Sequence, residues 1–175
     1  MPALAAGSPF HEVTVPVLDG GPTDIGRPRA GKDWQLVVVY RGLHCPICKR
    51  YLSKLEELQG DFGALGTDVI ALSGDPENKA RAIVEELSLT MPMAYGLTVP
   101  QMRQLGLYVS DPRSPKETDQ PFPEPGLFVV NDAGRVQIVD VSNAPFARPE
   151  LEGIRNGIKF IRENDYPIRG THQGE

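Results

Sequence analysis

The two cysteines of the chain, Cys45 and Cys48, lie in the run Arg41-Gly42-Leu43-His44-Cys45-Pro46-Ile47-Cys48-Lys49. Two thiols at this spacing can exchange a disulfide with another molecule, or pass through a sulfenic acid to a disulfide of their own. The run follows the apolar stretch Leu36-Val37-Val38-Val39-Tyr40 and opens an amphipathic one, so the pair stands where a strand ends and a helix begins. With the helix starting at the pair, Cys45 takes the N-cap. Pro46 takes the first helical position, where its missing N–H is no loss. A sulfur at the N-cap faces unpaired backbone N–H groups and the positive end of the helix dipole, which favour thiolate over thiol. His44 and Arg41 add to that field. A fall in pKa from about 8.5 to about 6.5 would raise the thiolate fraction at neutral pH from a few per cent to roughly three-quarters. Cys48, one turn along on the same side, is placed to attack a mixed disulfide or sulfenic acid formed on its partner, and the reverse assignment is equally sound.

The competing readings of the pair are two inert buried side chains or half of a zinc site. Zinc wants four ligands, and only His44 stands near, too close in sequence to share easily; His11 and His172 sit in unrelated segments. The order His-Cys-x-x-Cys also differs from the Cys-x-x-Cys-His of haem attachment. Dithiol chemistry, with no cofactor and no metal, is therefore the expectation.

The elements that must hold the pair are readable from hydrophobic period. Phe10 to Leu18 alternates and reads as a strand, closed by Gly20-Gly21-Pro22; Gln35 to Tyr40 reads as a central strand covered on both faces. Ile47, Tyr51, Leu52, Leu55 and Leu58 give the cysteine helix an apolar face, and Gly60 and Gly63 bracket its end. Val69 to Leu72 is a short strand, and Asp75-Pro76 reads as the cap of a helix that turns Ile83, Val84 and Leu87 inward. Thr98 to Gln101 has capping-box spacing. Asp111 to Pro125 reads as an irregular surface loop. Leu127 to Val130 and Arg135 to Val141 form a hairpin about Asn131-Asp132-Ala133-Gly134, and Leu151, Ile154, Ile158 and Ile161 mark a last helix. The order β, β, α, β, α, α, β, β, α implies an α/β fold, a mixed sheet with helices on both faces.

At 175 residues the chain is one domain's worth of protein, expected over 1–169 with a frayed tail from Gly170. The net charge of -5 disfavours nucleic acid and anionic membranes as partners. No apolar run is long enough to span a bilayer, and Met1 to Pro9 lacks the features of a secretory signal. With two cysteines and no such signal, a reducing cytoplasm is the expected compartment.

Several segments carry a resemblance. They are Gly7-Ser8-Pro9-Phe10 through Leu18-Asp19-Gly20-Gly21, the strand and cysteine helix, Val69-Ile70-Ala71-Leu72-Ser73, and Gly126-Leu127-Phe128-Val129-Val130-Asn131-Asp132-Ala133-Gly134-Arg135. Together they resemble the thioredoxin-fold superfamily, nearest the alkyl hydroperoxide reductase/thiol-specific antioxidant (AhpC/TSA, peroxiredoxin-like) branch, over nearly the whole length. The resemblance implies a thioredoxin-like fold and puts Cys48 on the peroxidatic position, with Cys45 replacing the threonine of the Thr-x-x-Cys pattern. The arginine that this branch places before Gly-Leu-Phe is here Pro125. Thioredoxins hold a cis-proline at that position, facing their cysteines, so the resemblance extends to a cis Pro125. Cys-Pro-x-Cys also resembles glutaredoxin sites, though Ile47 replaces their aromatic. The buried acid of thioredoxins has no match in Leu36 to Tyr40, leaving His44 or Glu124 as proton relays. Arg41 stands either as a thiolate or peroxide partner or as a solvated surface charge. Trp34 and Tyr40 read as core.

Three functions follow. Cysteine for threonine and proline for arginine both point toward disulfide exchange, so the leading expectation is a thiol-disulfide oxidoreductase using Cys45 and Cys48, supported by Pro125, Arg41 and His44. The second is a thiol peroxidase with Cys48 peroxidatic and Cys45 resolving; the third is a redox sensor or binding module without enzymatic activity. Expected partners are a disulfide or hydroperoxide substrate and a thioredoxin- or glutathione-type reductant. Relatives often form homodimers, but nothing in the sequence marks a contact surface.

Overall fold

A computed structural model describes residues 4–174; the first three residues of the expected domain and the last of the expected tail lie outside them. The centre is a five-stranded mixed sheet. Its spine is β3 (Trp34–Val39), buried at every position, with β4 (Thr67–Leu72) parallel on one side and β8 (Gly126–Val130) antiparallel on the other. The flanks are β5 (Met93–Ala94), parallel to β4, and β9 (Val136–Val141), antiparallel to β8. Two short ribbons lie outside the sheet: β1 (Val13–Val15) with β2 (Thr23–Ile25), and β6 (Val109–Ser110) with β7 (Phe122–Pro123).

The pleat sends alternate β3 side chains to opposite faces. Leu36 and Val38 meet α1 (Pro46–Ala64), α2 (Glu77–Leu87) and α4 (Leu151–Asn164) through Leu52, Leu55, Ile83 and Ile158. Val37 and Val39 meet the β1–β2 ribbon and α3 (Val99–Gln104) through Val13, Val15 and Met102. Helices therefore cover both faces, and the fold is thioredoxin-like. Trp34 and Tyr40 are buried in the core.

Four local expectations change. The strand at Phe10 to Leu18 shortens to β1, because its partner β2 is only three residues long. The cysteine helix runs past Gly60 and Gly63: Phe62, fully buried, draws one more turn onto the core, and the chain turns at Gly66, whose φ is 68°. Pro76, not Asp75, is the N-cap of α2, and no side chain caps that helix. The segment expected to be loop between Asp111 and Pro125 contains β7, whose partner β6 immediately precedes it. The capping box at Thr98 and Gln101 is present, and so is the hairpin about Asn131, whose side-chain oxygen accepts from the N–H groups of Ala133 and Arg135. Among the described residues, no helix is long and apolar enough to cross a membrane.

Candidate functional site

The strand β3 ends at Val39, and α1 begins seven residues later, so one short loop carries Arg41 to His44 and delivers both cysteines. That loop is fastened from below. Asp75, freed from capping α2, accepts the Leu43 N–H at 2.8 Å, and its own N–H donates to the Ser73 hydroxyl at 3.1 Å. Burial holds the Asp75 carboxyl above its ordinary pKa. Gly42 is required at its position: a Cβ there would lie 2.9 Å from both Asp75 Oδ1 and His44 Nδ1. Asp75→Ala would strand the Leu43 N–H, and we expect it to lower unfolding free energy by about 1–3 kcal/mol in urea titration. A loss below about 0.5 kcal/mol would mean that water replaces the carboxylate there.

Cys45 is the N-cap of α1 and Pro46 its first residue, as the spacing implies. Both thiols are free, Cys48 fully buried and Cys45 nearly so, and they approach to 2.7 Å. Their surroundings divide between two arginines. Cys45 Sγ accepts from the Cys48 N–H at 3.3 Å and from Arg41 Nη1 at 3.8 Å. Cys48 Sγ accepts from the Arg41 N–H at 3.5 Å and from Arg148 Nη2 at 3.3 Å. These surroundings favour one thiolate in the pair, on Cys45. The proton that Cys48 shares pulls Cys45 down to about 5, helped by the Cys48 N–H and Arg41 and opposed by burial. The same shared proton, with burial, pushes Cys48 up, and Arg148 acts against both.

Arg41 is an interior charge, not a solvated one. Its Nε lies 2.9 Å from Glu124 Oε2, its Nη2 donates to Glu124 Oε1 at 3.3 Å, and its guanidinium stands 4.8 Å over the Phe122 ring. His44 packs edge-on against the same ring at 4.6 Å; both its nitrogens are buried without a partner, and burial with Arg41 nearby lowers its pKa. Among the described residues no hydrogen bond joins it to either sulfur. Glu124 Oε1 accepts from Arg41 Nη2 and from the Ser110 hydroxyl (2.8 Å), while Oε2, buried beside Arg41 Nε, has no hydrogen-bond partner among the described residues.

The expected cis bond at Pro125 is absent: among the described residues every peptide bond is trans. The physical reason is the ladder. Gly126 pairs with both Val39 and Val141, and the Pro125 carbonyl accepts the Ser142 N–H at 3.0 Å, so an extended backbone at 125 prolongs β8. Pro125 still borders the site, lining a void of about 10 Å³ with Tyr51 and Arg148.

Arg148 is the residue that sequence reasoning missed. It follows β9 in the irregular segment before α4, where no period or motif marks it. Its Nε donates to the Pro145 carbonyl at 2.9 Å, and its guanidinium lies 4.9 Å over Tyr51, whose hydroxyl donates to the Pro149 carbonyl at 2.7 Å. On its outer side an open cleft of about 310 Å³, also lined by Ile47, Arg50, Tyr51, Pro149 and Leu151, reaches the surface.

The model of the AhpC/TSA family matches residues 6–139. No curated protein matches the chain. Among solved structures, a peroxiredoxin-like protein from Aquifex aeolicus is similar at 18% identity and a TM-score of 0.75, covering 92% of this chain and 90% of that one. Peroxidoxin BcpB from Mycobacterium tuberculosis is similar at 16% identity and 0.72, covering 91% and 99%. A cysteine-to-serine mutant of peroxiredoxin 6 of Arenicola marina is similar at 16% identity and 0.74, covering 91% and 74%.

Proposed function

The chain belongs to the AhpC/TSA family, and from that premise we propose that its cysteine pair reduces hydroperoxides, with Cys48 attacking and Cys45 resolving. Membership makes it an oxidoreductase. The observation that carries the peroxide reading is the arginine at Cys48: Arg148 Nη2 at 3.3 Å, beside the Arg41 N–H at 3.5 Å, supplies the donors that position 125 does not. Donors converging on the attacking sulfur can also hold the peroxide oxygen that leaves.

The shared proton fits the sequence of steps. Moving the shared proton from Cys48 to Cys45, against the field that favours the thiolate on Cys45, gives Cys48 thiolate and Cys45 thiol. The Cys48 sulfur attacks the distal oxygen of ROOH; the O–O bond breaks, Cys48 becomes a sulfenic acid, and RO⁻ takes the proton of Cys45 to leave as ROH. Cys45 is then a thiolate at the moment it must attack Cys48. The S–S bond forms, hydroxide departs and is protonated from solvent to water. Two electrons have passed from the pair to the peroxide, and a thioredoxin- or glutathione-type thiol in a reducing compartment must return them. The cleft beside Arg148 is the entry that we assign to the peroxide.

Disulfide exchange remains a second reading because of one observation: Cys45 caps the helix and its sulfur accepts from the Cys48 N–H and from Arg41, a setting that suits an attacking thiolate. Cys45→Ser separates the two. With one equivalent of hydrogen peroxide, we expect close to stoichiometric sulfenic acid on Cys48, trapped by a dione probe and read by peptide mass spectrometry. No sulfenic acid, combined with rapid reduction of small disulfides by the parent chain, would make exchange the function.

A further inference from the structure

Glu124 takes no part in the reaction above, yet it is a carboxylate buried to 4% side-chain exposure a few ångströms behind the site. A charge so placed is costly unless paired. Its pairing is specific: Oε1 accepts from Arg41 Nη2 and Oε2 lies 2.9 Å from Nε as a close ion pair without a hydrogen bond, which leaves Nη1, the remaining corner of the planar guanidinium, directed at Cys45 Sγ. Phe122 fixes the plane from one side, and the Ser110 hydroxyl fixes the carboxylate. Ser110 and Phe122 are register partners in the β6–β7 ribbon, and Glu124 follows it directly, its N–H donating to the Tyr108 carbonyl at 2.8 Å. The whole ribbon converges on one arginine.

We propose that Glu124 is a positioning residue: through the β6–β7 ribbon it aims Arg41 at Cys45 and so sustains the thiolate that resolves the reaction. The inference rests on the pair being the reactive site, whichever oxidant it meets. The charged and titratable groups about Cys45 are Cys48 on α1, Arg41 and His44 on the loop, Arg148 on the far sulfur, and Glu124 behind Arg41. Among these the carboxylate has a telling sign. Were Glu124 only a counter-charge, its removal would leave the full field of Arg41 on the sulfur and make Cys45 more acidic. If it positions Arg41, removal lets the guanidinium swing away and makes Cys45 less acidic.

The test follows the pH dependence of iodoacetamide alkylation at Cys45 in the full-length Cys48→Ser protein, where one thiol titrates and no peroxide turnover is needed. Glu124→Ala is expected to raise the midpoint by about one pH unit, a tenfold slower alkylation on the acid side. Glu124→Gln, which keeps an acceptor for Arg41, is expected to recover most of that rise. With Arg41→Ala already in place, Glu124→Ala should produce no rise. A downward shift with Arg41 present, or an equal rise without it, overturns the proposal and leaves the peroxidase reading untouched. If Glu124→Ala does not fold, Phe122→Leu replaces it: a smaller rise that vanishes without Arg41 is expected, and no rise overturns.

Discussion

The Cys48→Ser protein is expected to react with hydrogen peroxide about a thousandfold more slowly than the parent chain, although the cysteine it keeps is the more acidic of the two. Acidity and reactivity part company here for two reasons. In the parent chain Cys45 is held near 5 chiefly by the Cys48 proton; with serine there the N–H of residue 48 and Arg41 still favour the thiolate, but nucleophilicity falls with basicity, so added abundance gains little. The second reason is the leaving oxygen. Arg148 donates to Cys48 and not to Cys45, whose nearest guanidinium nitrogen, on Arg41, stands 3.8 Å off and is tied at its other corners to Glu124. Stopped-flow mixing with peroxide at pH 7 gives the rate directly. A Cys48→Ser rate within tenfold of the parent would make Cys45 the attacking sulfur and reverse the two roles. The parent chain has its own pH signature. Thiolate exists above the pKa, so with Cys45 lowered to about 5 the rate should stay level through neutrality and drop only as pH falls through that value. A rate that still climbs between pH 7 and 9 would show that Cys48 must itself ionise before it attacks, the proton not passing to Cys45.

What could be read in the sequence was what is local. Cys45 at the N-cap and Pro46 at the first turn follow from chain order alone, as does β3, because six successive apolar or tolerated residues can only be covered on both faces. Most of the misreadings share one cause: they depend on a partner outside their own element. Asp75 looks like a cap until a loop 32 residues away offers it a part-buried N–H. Pro125 resembles a cis-proline until the register of β8 against β3 and β9 calls for extended backbone there. The strands β6 and β7 are two residues each, too short for a period, and exist because each supplies the other's hydrogen bonds. Arg148 is the extreme case. It sits 100 residues from the sulfur it touches, in a segment with neither helix nor strand pattern, and only the closing of α4 onto α1 brings it there.

Arg148 also carries the second large effect. Arg148→Met keeps the apolar stem over Tyr51 and removes the donor, and the rate of Cys48 oxidation by peroxide should fall by about 10²- to 10³-fold. Part of that loss is thiolate: the Arg148 charge is what opposes the upward push on Cys48. The remainder is the hydrogen bond to an oxygen that gains charge as the O–O bond breaks. The two parts separate with a different electrophile. A small disulfide takes electrons from the same pair but releases a thiolate, whose diffuse charge gains little from a fixed guanidinium. Its reduction by Arg148→Met should slow by less than tenfold. Equal losses with peroxide and disulfide would mean that Arg148 only holds the thiolate, and no loss with either would mean that the Arg41 N–H suffices. Arg148→Lys should recover part of the charge effect and little else, because a lysine has no Nε to tether to the Pro145 carbonyl while a second nitrogen reaches Cys48. The fork of the arginine is therefore the feature under test: one nitrogen fixes the side chain to its own loop, another faces the sulfur, and the peroxide must fit between them.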